Sequence, residues 1–210
     1  MKIVEKTRIR GSQYTLTIEG DERFEVTVDA ATFDDSWYHV DGYIAEEQLE
    51  ELLSLSRYNR VRSRALYYLS GRDYAAKELE RKLSRSFDRA VCHAVVERFV
   101  EVGLVNDATY AERMARNLTE YKQYPRRRVI QTLQEKGVSR AVAEAALDAL
   151  QPDDFQQALA LIQKRYYNKL DTKENRAKTV AALARYGFSY DAVRRAIEAA
   201  AEQQISEEWD

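Results

Sequence analysis

Arg126, Arg127 and Arg128 stand in a row at the start of the helix-forming run RRRVIQTLQEKGVSRAV, where consecutive guanidinium groups suit an anion. The positive end of a helix macrodipole makes cations in its first turn unfavourable by about a few tenths of a kcal/mol. A phosphate or carboxylate would offset that, because free backbone N–H groups and guanidinium forks would then converge on one anion. Val129 and Leu133 are expected to face inward, which leaves Arg127 and Arg128 on the opposite face with Gln131 and Glu135. A second basic group comprises Arg57, Arg60 and Arg64, spaced by three and four on one helix side with Arg62 beside them, and a third comprises Arg81, Lys82 and Arg85. Tyr58, Tyr67, Tyr68, Tyr74, Tyr121 and Tyr124 are interleaved with these cations, as stacking surfaces in nucleic-acid grooves are. Of the tyrosines, Tyr67, Tyr110 and Tyr121 are expected in the core, so the cations are the stronger signal.

The formal net charge of -2 conceals an uneven distribution. Residues 1–56 hold 5 basic and 13 acidic side chains, residues 57–140 hold 19 and 10, and residues 141–210 hold 9 and 12. A basic middle between acidic ends points to a polyanionic partner or an acidic protein surface, and it does not bear on fold.

Other chemistry is not encoded in any recognisable spacing. His39 and His93 lie far apart in different kinds of segment, with no carboxylate or cysteine pattern around them, so no metal site is expected. There is no P-loop, no GxSxG and no Gly-rich loop after a strand, and neither enzyme activity nor a cofactor is expected. The acidic pairs Asp34-Asp35 and Asp153-Asp154 fall at element ends, where helix capping is the ordinary role. The single cysteine, Cys92, cannot form an internal disulfide and is expected on a buried helix face in a reducing compartment. No run approaches the ~18 apolar residues of a membrane span, and the opening KIVEKTRIR lacks a signal peptide's apolar core, so a cytoplasmic protein is expected.

Helices must position most of these residues, since Gly and Pro are scarce, at 7 and 2 of 210 residues. The run from Arg126 reads as helix, glycine turn, helix: Gly137 stops the first helix and Ser139 caps the second. It recurs fifty positions later, with Gly187 for Gly137, Phe188 for Val138, Ser189 for Ser139 and Val193 roughly for Val142, and fifty positions earlier around Leu83, Phe87, Asp88 and Val91. A period of tens of residues marks a stacked architecture. The fold expected is mainly all-α, with tandem three-helix repeats forming an elongated curved array and a small N-terminal antiparallel β extension. The domains expected are 1–44 (β extension), 45–104 (first repeat with a leading helix), 105–151 (second repeat), 152–203 (third repeat) and 204–210 (acidic, frayed tail). Within the extension, Ile3, Tyr14, Leu16, Ile18, Phe24, Val26 and Val28 alternate over three short strands, which need a further apolar surface to pack on. Residues 30–43 are expected to be a connector with at most a helical turn, Trp37 and Tyr38 burying against the sheet.

The run ALYYLSGRDYAAKELERKL (Ala65 to Leu83), then FVEVGLVNDATYAERMARN (Phe99 to Asn117), then RRVIQTLQEKGV (Arg127 to Val138), resembles the RecX regulatory proteins of bacteria. Their Leu-Ser-x-Arg, Glu-Leu-x-x-Lys-Leu, Gly-Leu-x-Asp-Asp-x-x-Tyr/Phe-Ala and Leu-x-x-Lys-Gly-Ile segments are matched, in order, at Leu69 to Arg72, Glu78 to Leu83, Gly103 to Ala111 and Leu133 to Val138. This chain departs from the pattern at Asn106, at Pro125-Arg126 and at the shortened Ser84-Arg85-Ser86-Phe87. The resemblance implies an all-helical triple repeat that binds the RecA recombinase filament, within its groove, and restrains its ATP hydrolysis, strand exchange and co-protease activity in DNA repair and the SOS response; it also implies DNA binding, mainly to single strands. It fixes no catalytic residue. On this footing the three basic groups, Arg57 through Arg64, Arg81 through Arg85 and Arg126 through Arg128, are the candidate contacts to RecA or DNA, and the chain is expected to be a monomer. A helical-repeat module that binds nucleic acid without RecA is the alternative, and an adaptor for an unrelated protein is a third possibility.

Overall fold

The computed structural model describes residues 1–207, except the side chains of residues 169 and 203–207. The architecture is mainly helical with a three-stranded antiparallel sheet at the N-terminus. It divides into two compact units, residues 1–74 with 79–105, and residues 75–78 with 106–210.

In the first unit β1 (Lys2–Ile9), β2 (Gln13–Glu19) and β3 (Arg23–Asp29) form a meander of order β1-β2-β3, with register pairs such as Ile3 with Ile18 and Tyr14 with Val28. The alternation places Ile3, Leu16, Ile18 and Val28 on one buried face. That face is covered by Phe33 of α1 (Ala30–Asp34), by Ile44, and by Leu49 and Leu52 of α2 (Glu46–Gly71). The connector also covers the open edge of β1, where Ile3 N–H bonds the Gly42 carbonyl at 2.9 Å and Asp41 N–H bonds the Ile3 carbonyl at 2.7 Å. Ser56 of α2 accepts from the N–H of Asp29, the last residue of β3, at 2.6 Å, and Asn59 of α2 donates to the Thr32 hydroxyl of α1 at 3.0 Å. Trp37 does not bury as expected; it is 79% exposed, whereas Tyr38 packs on the sheet core.

The acidic segment after Ala45 and the basic segment after Arg57 form one helix, α2, because nothing near Ser56 breaks it. Its second half packs on α4 (Arg89–Glu101), with Val61 and Ala65 on one element and Cys92, Val95, Val96 and Phe99 on the other all buried. Burial pushes the Cys92 thiol up, which keeps it protonated and inert. Of α3 (Ala76–Leu83), the first turn belongs to the second unit and the remainder to the first.

The second unit holds two helical triplets. In the first, α5 (Asp107–Arg116), α6 (Arg126–Lys136) and α7 (Arg140–Leu150) enclose Tyr110, Ala115, Val129, Leu133 and Leu147. In the second, α8 (Asp154–Arg165), α9 (Lys173–Tyr186) and α10 (Tyr190–Glu207) enclose Leu161, Ile162, Leu183, Phe188 and Val193. The expected acidic tail, 204–210, begins inside α10, and residues 208–210 lie outside the described residues.

The two triplets share a turn. Gly137 and Gly187 are left-handed, with φ of +100° and +114°. In each, the next residue, Val138 or Phe188, returns its N–H to the carbonyl of Leu133 or Leu183 at 3.1 Å. Ser139 and Ser189 then cap the following helix. By this offset Val193 corresponds to the fully buried Ala143 rather than to the half-buried Val142. The earlier echo keeps its cap, Asp88, on the N–H groups of Ala90 and Val91, but none of residues 84–87 is left-handed.

A second device also repeats. Asn106 caps its own helix, α5, while the adjacent Asp107 accepts from the Ala76 N–H at 2.8 Å, capping α3. Asp153 caps its own helix, α8, while Asp154 accepts from the Arg126 N–H at 3.0 Å, capping α6. Each polar pair therefore serves two helices, one local and one from the preceding part of the chain.

Candidate polyanion interface

Pro125 precedes α6 with extended backbone and has no side chain able to cap it, so the first N–H of α6 depends on Asp154. Arg126 itself reaches Asp148 of α7 at 2.6 Å. The unfavourable placement of cations in this turn is thus offset by two carboxylates of the same chain, and an external anion is not required there.

Arg128 is half-buried and held by aromatic rings. Its guanidinium carbon lies 4.1 Å from the Tyr124 ring centroid and 4.0 Å from that of Tyr186. It also points Nη1 at the Tyr186 carbonyl, 3.5 Å away, so that its charge meets the negative end of α9. The Tyr186 hydroxyl donates to the Lys122 carbonyl at 3.3 Å, and burial raises the ionisation of this phenol above the ordinary tyrosine value. Arg127 is exposed and makes no ion pair among the described residues. Arg127, Arg128, Gln131 and Glu135 do share a face, and that face is the wall of a recess against the third triplet.

In the first unit, Arg57 is paired with Glu50 at 2.8 Å. Arg60 lies 5.9 Å from the Phe87 ring, and with the Gln13 amide oxygen turned toward it donates at 3.0 and 3.1 Å. Arg62, Arg81 and Arg85 are exposed. Arg64 and Lys82 come together on one ring: Arg64 lies 5.7 Å from Tyr67 and 6.0 Å from Tyr68, and Lys82 lies 4.3 Å from Tyr68. Lys82 also donates to the Tyr74 hydroxyl at 2.9 Å, and Arg72, absent from the basic groups read in the sequence, packs on the Tyr74 ring at 3.7 Å. The Lys82 hydrogen bond, aided by the charges of Arg72 and Lys82 against desolvation, holds the Tyr74 phenol below the ordinary tyrosine value.

Tyr67 and Tyr121, expected in the core, are 67% and 78% exposed, while Tyr110 is buried. Tyr67 falls two residues after Ala65, off the stripe of Val61 and Ala65. Tyr121 is turned outward because α5 passes into a π-helical turn, Asn117–Tyr121, whose wider winding rotates it off the Tyr110, Met114 and Leu118 stripe.

Four more cations stand beside Arg127 and Arg128 around the recesses here: Lys122, Lys164, Arg165 and Arg185. Lys164 and Arg165 lie in the last turn of α8, where cations are favoured by the helix dipole alone, so their types carry no separate signal in the sequence. Arg185 carries a signal in the repeat, since the fifty-residue offset pairs it with the oppositely charged Glu135.

Comparison with known proteins places this arrangement. Family models described as the first, second and third three-helix domains of RecX match residues 62–99, 106–147 and 152–197. A regulatory protein RecX of Halorhodospira halophila is 34% identical over 68% of this chain and 89% of its own length. One of Clostridioides difficile is 31% identical over 73% and 74%. Among solved structures, a crystal structure of RecX from Lactobacillus salivarius superposes with a TM-score of 0.58 at 26% identity, covering 70% of this chain and 97% of that one. A crystal structure of regulatory protein RecX has a TM-score of 0.69 over 94% and 98% at 19% identity, a likeness of fold. With three domain matches in chain order and relatives above 30% identity over most of their length, the chain belongs to the RecX family of regulatory proteins.

Proposed function

We propose that this chain binds the RecA recombinase–DNA filament along its groove and restrains ATP hydrolysis, strand exchange and co-protease activity, acting as a cytoplasmic monomer without catalysis of its own. What carries this is the ordered match to three RecX three-helix domains. The chemistry is compatible: Arg62, Arg85 and Arg127 are exposed and make no ion pair among the described residues, so their charges are open to phosphate or carboxylate. A protein that binds one state of a filament better than the others slows turnover by favouring that state, by as much as its differential affinity. The working segments we assign to the contact are 45–104, 105–151 and 152–203. The test is the rate of RecA-catalysed ATP hydrolysis on single-stranded DNA with this chain at stoichiometric ratio to RecA. A lowered rate, with strand exchange slowed in parallel, is expected; unchanged rates in both overturn the proposal.

One observation favours a second reading, direct nucleic-acid binding without RecA. Arg64, Tyr68, Lys82, Tyr74 and Arg72 alternate cation and ring over the first unit, with Tyr67 exposed at their edge. RecA-free affinity for DNA that falls steeply with salt supports it, and a flat response counts against it.

A further inference from the structure

Two recesses lie side by side where the second and third triplets meet. One, of about 600 Å³, is walled by Lys122, Tyr124, Arg127, Arg128, Arg185 and Tyr186 among others. The other, of about 510 Å³, shares Lys122, Tyr124 and Tyr186 and adds Tyr121, Lys164 and Arg165. Lys122, Arg127, Lys164, Arg165 and Arg185 are all exposed, and none is ion-paired among the described residues. Several cations elsewhere in this unit are different, although Lys173 and Arg176 are also exposed and make no ion pair among the described residues. Arg140, Lys178, Arg194 and Arg195 each have a carboxylate one helical turn away, at 2.8, 2.7, 3.9 and 4.0 Å. Of the two carboxylates on the recess walls, Glu120 lies 4.0 Å from Arg116 and Glu135 accepts from Gln131 at 3.2 Å. Around the two recesses these five cations, which make no ion pair among the described residues, outnumber the carboxylates Glu120 and Glu135 and leave a positive field.

The backbone adds an aromatic rim. The π-helical turn at Asn117–Tyr121, followed by Gln123 in the left-handed region at φ +52°, sets Tyr121 outward at 78% exposure beside Lys122. An exposed ring next to a run of open cations suits a strand that offers alternating bases and phosphates, whereas an acidic peptide would use the cations and leave the ring idle. Recesses of a few hundred Å³ also match single unstacked nucleotides better than the uniform surface of a duplex.

We propose that the joined recesses are a groove for single-stranded nucleic acid, in which Lys122, Arg127, Arg185, Lys164 and Arg165 meet successive phosphates and Tyr121 stacks on a base. The groove gives the chain a nucleic-acid contact of its own, and it rests on the filament reading only for where the strand comes from.

The test uses the full chain without RecA, by fluorescence anisotropy of a labelled oligothymidylate of about 15 nucleotides over roughly 50 to 200 mM salt. The triple variant Arg127→Ala, Lys164→Ala, Arg185→Ala is expected to bind about tenfold or more weakly, with a log–log salt slope shallower by about 2. Tyr121→Ala is expected to bind about fivefold or more weakly with the slope unchanged. The triple variant Arg140→Ala, Lys178→Ala, Arg194→Ala removes as much charge from ion-paired sites and should bind like the wild type. Equal loss in both triple variants, no binding by the wild type, tighter binding of a duplex, or capture of a polyglutamate peptide in place of the oligonucleotide each overturns the groove. If the groove fails while RecA-catalysed ATP hydrolysis is still restrained, the filament reading stands alone; if restraint fails while the groove holds, only the filament reading falls.

Discussion

The carboxylate of Asp154 accepts a hydrogen bond at 3.0 Å from the backbone N–H of Arg126, so the first turn of α8 caps the first turn of α6, 28 residues earlier. Asp107 does the same for Ala76. Asp154→Ala is expected to lower stability by about 1 kcal/mol in urea unfolding, the ordinary cost of a lost cap, and Asp154→Asn, which keeps an acceptor, by less. Equal loss in both variants would mean that the charge opposite the arginines, rather than the cap, is what matters.

The two glycine turns are not equally tolerant. A Cβ on Gly137 would sit 2.6 Å from Lys77 Cβ, an atom fixed to the backbone, whereas one on Gly187 would meet Arg128 Cβ and Pro125 Cγ at 3.3 Å. Both positions carry the left-handed strain of about 1–2 kcal/mol for a side chain. Gly137→Ala should therefore destabilise by about 2 kcal/mol or more and Gly187→Ala by about 1, both read from denaturant midpoints.

Arg127 and Arg128 are neighbours with opposite consequences. Arg128→Ala removes a guanidinium held between Tyr124 and Tyr186 and is expected to cost about 1–2 kcal/mol of stability. Arg127→Ala should leave thermal unfolding within about 0.5 kcal/mol of the wild type and lower affinity for the polyanion.

Tyr74 gives a prediction in pH. Because Lys82 and Arg72 hold its folded-state ionisation below the unfolded value, the folded protein should release this proton at lower pH than the unfolded chain does. An early component in the phenolate ultraviolet titration is expected, absent in Tyr74→Phe and shifted upward in Lys82→Met. The stabilisation that accompanies it is present in full above the unfolded tyrosine value and is lost as pH falls through the folded one, so neutral-pH stability is untouched. A titration identical in wild type and Tyr74→Phe would contradict the Lys82 contact.

Local signals made the repeat legible. A left-handed glycine and a serine two residues on are fixed by backbone geometry within one turn, so Gly137-Val138-Ser139 and Gly187-Phe188-Ser189 announced themselves. The alternation of Leu16, Ile18, Val26 and Val28 did the same for the sheet. The cross-caps were not legible, because Asp107 and Asp154 resemble ordinary first-turn carboxylates until Ala76 and Arg126 are brought to them. Nor was the π-helical turn, since Tyr110, Met114, Leu118 and Tyr121 still fit a period of 3.6. Of the basic groups, Arg64 with Lys82 and Arg127 with Arg128 are adjacent in space, whereas Arg57 and Arg126 are occupied by Glu50 and Asp148.

The filament contact is tested most directly by placing a photocrosslinking side chain at position 62, 85 or 127, one at a time, and irradiating each protein on a preassembled RecA–DNA filament. Crosslinks to RecA or DNA well above those from positions 98 and 194, whose arginines are ion-paired in the native chain, are expected. Equal yields from all five positions would contradict docking through the open cations.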